Sequence, residues 1–255
     1  MNKDIPIALQ LYSVRNDCME RGLAPVLEEV AKMGYDGVEF AGFYEMSSKE
    51  VRSLLDAAGL KVAGTHTKLP ALLGDEFERT VDYNREIGNR YIICPALPEE
   101  YRNSIDAWRK TATLFDELSE KLAEHGMLLG YHNHATEFEP MDGVLPWDVF
   151  YGNTRAEVIM QLDTGNALAA GVDVTPFIEK YPNRSITVHL KDRAKDGRKA
   201  IVIGEGDVNW RQIFELCENV GGTEWYIIEQ ESEAHPPMEC VCICLKRVRG
   251  LLKQA

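Results

Sequence analysis

The chain has 255 residues, of which 45% are hydrophobic and 27% charged, and a formal net charge of -13. This composition supplies enough apolar side chains for a sizeable core and excludes extended disorder. The acidic balance opposes binding to nucleic acid or to an anionic membrane surface, so we expect neither as a partner. No apolar run has the length of a membrane span and the N-terminal stretch lacks a signal-peptide core, so we expect a cytoplasmic protein.

Eight apolar segments of strand-like composition follow one another along the chain at near-constant spacing. Glycine precedes five of them, in KMGYDGVEF, AAGLKVAGTH, EIGNRYIICP, EHGMLLGYHNH and GGTEWYIIEQE. Because glycine readily adopts the left-handed conformation that ends a helix, each of these segments predicts a helix-to-strand junction. The eight predicted strands begin near Ile7, Gly37, Lys61, Tyr91, Met127, Val158, Ser185 and Trp225.

Helical segments fill the intervals between these strands. Ser47 and Glu50 have the spacing of a capping box before VRSLLDAAG. IDAWRKTATLFDELSEKLAEHG has apolar residues at helical spacing and ends at Gly126. Eight strand-then-helix units predict an α/β protein in which residues 1–255 form a single (β/α)8 TIM barrel domain. An open doubly wound sheet is the alternative, although neither a G-x-G-x-x-G turn nor a P-loop follows the first strand.

The chain has six cysteines, three of them in the tract ECVCICLK. On a strand this tract would resemble a metal site, but it precedes the helix-like LKRVRGLL. Positions i, i+2 and i+4 do not share one helix face, so we favour ordinary helix residues over metal ligands.

The predicted carboxyl ends of the strands are unusually polar, and that end of a (β/α)8 barrel carries the active site. In GYHNHATEFEP, His132 and His134 are spaced i, i+2, so both are expected on the same face of the chain. The longest connection, residues 193–209 with GEGDVN, is predicted to be a loop over the barrel mouth. The polar strand-end residues are Gln10, Glu39, His66, His132, His134, Asp163, His189, Lys191, Glu229 and Glu231.

Four of these residues, on four consecutive strands, predict a site for one divalent metal ion: His132, Asp163, His189 and Glu229. Mixed nitrogen and oxygen ligands suit Mn, Zn, Fe, Co or Ni. The alternative is that each residue is an ordinary loop residue, with Asp163 capping the turn in DTGN. The metal site is favoured because independent accidents would not place ionisable residues at one level on consecutive strands.

Seven motifs span nearly the whole chain: LQLYSVR, GYDGVEFAG, GYHNHATEF, QLDTGNA, VHLKDR, GEGDVNW and YIIEQE. Their order resembles the xylose isomerase-like superfamily of sugar isomerases and epimerases, and most closely a subgroup with YHNH. The resemblance implies a metal bound by residues of strands 5 to 8, and Asp163, His189 and Glu229 match that pattern. His132 departs from it, because many members have a glutamate at this strand 5 position.

The resemblance also implies residue roles. A metal-bound imidazole cannot act as a base as well, so His132 argues against proton exchange between two glutamates. We expect Glu229 to be both ligand and base through a free second oxygen, His134 to be the partner acid or base, and Lys191 to stabilise the substrate anion. The residues expected to bind substrate are Gln10, Glu39, His66 and Glu137.

These roles predict a metal-dependent sugar isomerase or epimerase that removes the proton alpha to a carbonyl and passes through a metal-stabilised enediolate. Expulsion of a β-substituent gives the alternative, a lyase or dehydratase acting on a keto-sugar, a 3-keto-glycoside or an inosose. A non-catalytic sugar-binding relative is a second alternative, favoured by the histidine on strand 5. An apurinic endonuclease of the same fold is disfavoured by the net charge of -13.

The expected partner is a small carbohydrate. The oligomeric state stays open between a monomer and a homo-oligomer, although members of the family that the chain resembles are often dimers or tetramers. Aromatic side chains that would stack on a sugar ring, and that would equally well be packing residues, are Tyr12, Phe43, Trp147 and Trp210.

Overall fold

The barrel consists of eight parallel strands in sequence order. The computed structural model, which describes residues 4–254, gives them as β1 (Ile7–Gln10), β2 (Gly37–Phe40), β3 (Lys61–His66), β4 (Tyr91–Cys94), β5 (Leu128–His132), β6 (Ile159–Asp163), β7 (Thr187–Leu190) and β8 (Trp225–Ile228). Pairing of β1 with β8 closes the sheet. The predicted (β/α)8 TIM barrel is therefore confirmed, and the open doubly wound sheet is excluded.

Helices surround the strands and connect them. They are α1 (Arg15–Arg21), α2 (Leu23–Met33), α3 (Ser48–Ala58), α4 (Glu76–Glu86), α5 (Ile105–Glu124), α6 (Pro146–Gly152), α7 (Thr164–Ala169), α8 (Thr175–Lys180), α9 (Trp210–Leu216) and α10 (Pro237–Leu252). Within residues 4–254, none of these helices combines the length and the apolar character that crossing a bilayer requires.

The local signals read from the sequence act as predicted. At the five predicted helix-to-strand junctions, Gly34, Gly59, Gly88, Gly126 and Gly222 all have positive φ angles, from 68° to 99°. The Ser47 side chain accepts from the Glu50 backbone N–H, and the Glu50 carboxylate accepts from the Ser47 N–H, which completes the capping box at α3.

The cysteine tract lies on α10, so the predicted helix is confirmed. Cys240 and Cys244 are buried and Cys242 is half-buried. None of the three belongs to a group of potential metal ligands in the described part of the chain.

Apolar side chains fill the lower part of the barrel, and polar side chains follow them toward the carboxyl ends of the strands. The apolar set is Ala8, Ala63, Tyr91, Ile93, Ile159, Trp225 and Ile227. Because strand side chains alternate, the next inward positions on β1, β6 and β8 are Gln10, Gln161 and Glu229. A polar layer at the barrel mouth thus lies directly above the apolar residues of the barrel interior.

Gly130, within β5, has no room for a side chain. A Cβ atom there would lie 2.6 Å from Ile93 Cδ1 and 2.8 Å from Ile159 Cβ. We expect Gly130→Ala to lower the free energy of unfolding by about 1–3 kcal/mol, because the added methyl group overpacks the barrel interior. Urea denaturation measures this. Gly250→Ala is the matched control, because nothing lies within 4 Å of a Cβ there; equal stability of the two variants would contradict the packing argument.

Candidate metal centre and active site

Four side chains converge at the carboxyl ends of β5 to β8, as the sequence predicts. They are His132, Asp163, His189 and Glu229; each offers one ligand atom, and these atoms lie within 4.8 Å of one another. All four are buried, the most accessible being Glu229 at 7%. Consecutive parallel strands place their last residues at one level, which is why residues far apart in the chain meet here.

His189 directs one ring nitrogen toward the cluster and the other toward the barrel interior. Its Nδ1 lies 3.0 Å from Glu229 Oε2 and 3.9 Å from Asp163 Oδ2, whereas its Nε2 lies 2.6 Å from Glu39 Oε2. Glu39 only accepts when ionised, so Nε2 carries a proton and Nδ1 is the nitrogen that could bind a metal. Burial lowers the pKa of His189, but Glu39 and Glu229 outweigh it and raise the pKa to about 10.

His132 is oriented by Gln161. The Gln161 amide donates to Glu39 Oε1 at 2.8 Å and to Thr187 Oγ1 at 3.0 Å, which turns its oxygen toward His132 Nδ1 at 3.1 Å. His132 Nδ1 therefore donates and Nε2 keeps the lone pair. Burial, with the neighbouring imidazole of His189, holds the pKa of His132 well below its usual range, so the ring is neutral as a ligand must be.

Asp163 has one oxygen bound by the protein and one without a partner. Its Oδ1 accepts from the Asn166 N–H at 2.6 Å, while Oδ2 is buried and has no hydrogen-bond partner among the described residues. Burial raises the pKa of Asp163 to about 6, because the charged form lacks solvation there. A buried carboxylate oxygen that faces His189 Nδ1 without a donor fits a cation ligand.

Glu229 is shared between the cluster and Lys191. Its Oε1 accepts from Lys191 Nζ at 2.9 Å while its Oε2 faces His189. The expectation of a free second oxygen is therefore wrong. Burial raises the pKa of Glu229, but Lys191 and His189 outweigh it and hold the pKa well below its usual range.

The donor set fits one dipositive ion. Two imidazole nitrogens and two carboxylate oxygens carry two negative charges, and such mixed ligands suit Mn, Fe, Co, Ni or Zn. His66 also lies near His132 and His189, but its Nε2 is 2.9 Å from Gln161 Oε1. His66 is thus directed toward the amide rather than the cluster.

The second histidine of YHNH faces the cavity above the cluster. The rings of His132 and His134 are 5.2 Å apart, and both line one cavity of about 790 Å³ that also includes His66 and Glu229. His134 is exposed there, in contrast to His132. The two imidazoles therefore occupy the same side of the barrel mouth, as the i, i+2 spacing predicts.

Three residues expected to bind substrate lie behind the cavity instead. Gln10 and Glu39 are fully buried, and Gln10 Nε2 donates to Glu39 Oε2 at 2.7 Å. Glu137 is buried and accepts from Tyr131 Oη and from the His134 N–H, both at 2.7 Å. Their hydrogen bonds to the protein argue against substrate contact, so these residues position the histidines.

The aromatic candidates divide into two pairs. Tyr12 and Phe43 line the cavity. Trp147 is fully buried, and Trp210 packs against Phe214 with a ring-centroid distance of 5.9 Å. The two tryptophans are therefore packing residues.

A buried carboxylate that the sequence reasoning missed organises the loop between β7 and α9. Asp192 accepts from the N–H groups of Gly204, Gly206 and Val208 at 2.7, 3.1 and 3.4 Å, and from Trp210 Nε1 at 3.2 Å. Asp192 follows Lys191 directly, so the loop is attached to the chain next to the lysine that contacts Glu229. The sequence feature that could have identified Asp192 is the occurrence of VHLKDR together with GEGDVNW, because the Asp192 carboxylate bonds the second motif to the first.

Comparisons with known proteins agree with this architecture. The family model described as xylose isomerase-like TIM barrel matches residues 27–241. An inosose dehydratase from Erwinia tasmaniensis is 24% identical over 253 residues, covering 84% of both chains. The rhizopine catabolism protein MocC from Rhizobium meliloti is also 24% identical, covering 84% of this chain and 77% of that protein.

A solved structure has a closely similar fold. A sugar phosphate isomerase/epimerase from Parabacteroides distasonis superposes with a TM-score of 0.84 and 25% identity, covering 98% of this chain and 96% of the other.

Removal of one ligand tests the metal centre. We expect about one divalent ion per wild-type chain by elemental analysis. His132→Ala should weaken metal binding at least about hundredfold. Loss of a residue that only hydrogen-bonds to a metal ligand already lowers metal affinity about 10–100-fold, and His132 is expected to bind the metal itself. His125→Ala, after α5 and before β5 at the other end of the barrel, is the control. Unchanged metal content in His132→Ala would remove this residue from the ligand set.

Asp192→Asn tests the loop anchor. The amide removes the charge and directs its own N–H groups at backbone donors, so we expect a loss of about 2–4 kcal/mol in the free energy of unfolding. Denaturant titration measures it. Asp196→Asn, an exposed position in the same loop, should change stability little; equal effects of the two substitutions would contradict the anchoring role.

Proposed function

The chain belongs to the xylose isomerase-like TIM barrel family, and on that premise we propose that it is a metal-dependent sugar-modifying enzyme. Its substrate is a small carbohydrate with a carbonyl group, and its reaction begins with removal of the proton alpha to that carbonyl. The observation that carries the proposal is the buried group of His132, Asp163, His189 and Glu229 at the floor of an open cavity.

The ion, when bound by these four residues, would supply Lewis acidity that polarises a carbonyl and acidifies the neighbouring C–H. Glu229 is the base in this proposal, because it is ionised, lines the cavity and has its Oε1 directed away from the ligand cluster. Lys191 covers that oxygen in the free protein. Negative charge that develops on the substrate oxygen attracts Lys191 and releases Glu229 to take the proton.

Isomerisation or epimerisation is the first outcome of this chemistry. Reprotonation at the neighbouring carbon gives an isomer, and reprotonation from the opposite face gives an epimer. The second group available in the cavity is an imidazole, because the strand 5 position carries His132 and His134 follows it two residues on. Burial lowers the pKa of His134. The neutral ring can accept a proton and return it.

Elimination is the second candidate, and the pairing of a carboxylate base with an imidazole favours it. After Glu229 removes the alpha proton, His134 can pass a proton taken from solvent to a departing β-hydroxyl or β-glycosyl oxygen, which completes a dehydration or lyase reaction. The lowered pKa of His134 makes the protonated ring a ready donor. The inosose dehydratase at 24% identity supports this candidate, and the sugar phosphate isomerase/epimerase at 25% identity supports the first.

A sugar-binding protein without catalysis is the least supported alternative. Such a protein would not need a buried carboxylate oxygen without a donor, as at Asp163, or a lysine placed on Glu229. Burying these charges is costly unless they serve a ligand or a reaction.

Proton exchange in D2O tests the proposal. We expect the protein reconstituted with Mn²⁺ to incorporate deuterium at the carbon alpha to the carbonyl of a ketose, an inosose or a 3-keto-glucoside, observed by NMR. Glu229→Gln should lower that rate at least about hundredfold, within the range that a catalytic base contributes. Glu231→Gln is the control, because Glu231 is exposed and pairs with Arg15.

The same NMR spectra separate the two candidates. A new sugar with all its oxygens indicates isomerase or epimerase activity, and an unsaturated product indicates a lyase. Exchange at the wild-type rate in Glu229→Gln would contradict the assignment of the base, and no exchange with any of these substrates would contradict the proposed reaction.

A further inference from the structure

The cavity above the metal centre is larger than a single sugar ring requires, and its two sides differ in chemistry. Its volume of about 790 Å³ is in the upper part of the range for drug-sized ligands. The side formed by β5 and β8 carries His132, His134 and Glu229. The side over β2, β3 and β4 has a different lining, which includes Phe43, Ala71, Tyr83, Pro95 and Ala96.

An aromatic pair forms the wall on this second side. The rings of Phe43 and Tyr83 have centroids 4.1 Å apart and an interplanar angle of 33°. Phe43 also contacts Phe40, which is fully buried, with a centroid distance of 5.4 Å. The wall is thus supported from behind and presents ring surface to the cavity.

Apart from His66 and the rim cations Lys68 and Arg79, the polar side chains on this side are bonded to the protein. Tyr83 Oη donates to the Met46 carbonyl at 2.8 Å, and Thr80 Oγ1 donates to the Ala71 carbonyl at 2.7 Å. Asn84 Nδ2 donates to the Thr80 carbonyl at 2.8 Å. Sugar hydroxyls would therefore find few free hydrogen-bonding groups here, whereas an apolar group needs none.

We propose that the second side of the cavity, defined by Phe43, Tyr83, Pro95 and Ala96, is a subsite for an aromatic substituent attached to the sugar. The substrate class is then an aryl glycoside in its keto form, with the sugar ring over the metal centre and the aryl group against Phe43. This inference rests on the proposed sugar chemistry of the same site and specifies its substrate.

A phosphate would find a poorer site on this side. Arg79, at the rim, pairs with Glu76 at 2.5 Å, and both side chains are exposed, at 69% and 57%. Lys68 is exposed at the same rim. Tight phosphate recognition needs several convergent donors, and solvated rim cations do not provide them.

Binding of matched glycosides tests the subsite without relying on turnover. Phenyl β-D-glucoside and methyl β-D-glucoside differ only in the substituent, and NMR titration of the Mn²⁺-free protein and calorimetry of the Mn²⁺-loaded protein give their affinities. We expect the phenyl compound to bind about tenfold more tightly, the size expected when one face of an aromatic ring is buried.

Phe43→Ala should reduce the ratio of the phenyl to the methyl affinity from about 10 to about 1–3, because the aromatic wall is removed. Phe77→Ala is the matched control, since Phe77 is on the same helix as Tyr83 but contacts His125 outside the cavity. Ala96→Trp is a second variant that fills the subsite from an exposed position and should lower the ratio without removing a packed side chain.

Equal or undetectable affinities of the two glycosides in the wild-type protein would overturn the subsite, as would an unchanged ratio in both Phe43→Ala and Ala96→Trp. Tighter binding of glucose 6-phosphate, lost in Lys68→Ala, would overturn it in favour of a phosphate site. Deuterium exchange into the 3-keto forms is measured separately. A phenyl preference without deuterium exchange would support the subsite and contradict the proposed reaction. Deuterium exchange without a phenyl preference would support the proposed reaction and contradict the subsite.

Discussion

A single carboxylate under the barrel mouth fixes the orientation of the candidate site. Glu39 is completely buried and accepts from Gln10, His189 and Gln161 at 2.6–2.8 Å. Burial raises the pKa of Glu39, but His66 and His189 outweigh it and lower the pKa below its usual value. The ionised group then fixes the orientation of the His189 ring by accepting from its Nε2 and, through Gln161, directs His132. Two ring orientations thus depend on one buried charge.

The charges above Glu39 form a set that the barrel interior cannot solvate. Asp163 and Glu229 contribute negative charge, and Lys191 and the proton on His189 oppose it. A divalent ion at this place would displace a proton from His189 Nδ1, so metal binding and proton release are linked.

The two sides of the cavity come from different parts of the barrel and have different chemistry. The ends of β5 and β8 contribute His132, His134 and Glu229. The segments after β2 to β4 contribute aromatic and small apolar residues, with Lys68 and Arg79 at the rim. In the proposed reaction, one half of a ligand would react at the ionisable side of the cavity while the other half would be recognised by contact area. The two proposals together assign chemistry and substrate specificity to separate elements, as loop variation on this fold permits.

The sequence by itself determined the barrel, because strand composition, glycine helix ends and regular strand-helix alternation are local signals that tertiary packing did not overrule. It also determined which four side chains meet, since the last residues of consecutive parallel strands necessarily share one level. Only the tertiary structure decided how they are used. Lys191 occupies the second oxygen of Glu229, and Glu39 lies against His189 rather than in the cavity. These two contacts join residues far apart in the chain, so spacing along the sequence carries no information about them. Glu137 and Asp192 make shorter-range contacts, but whether each carboxylate turns toward the protein or toward the cavity depends on burial and side-chain direction, which only the folded chain sets.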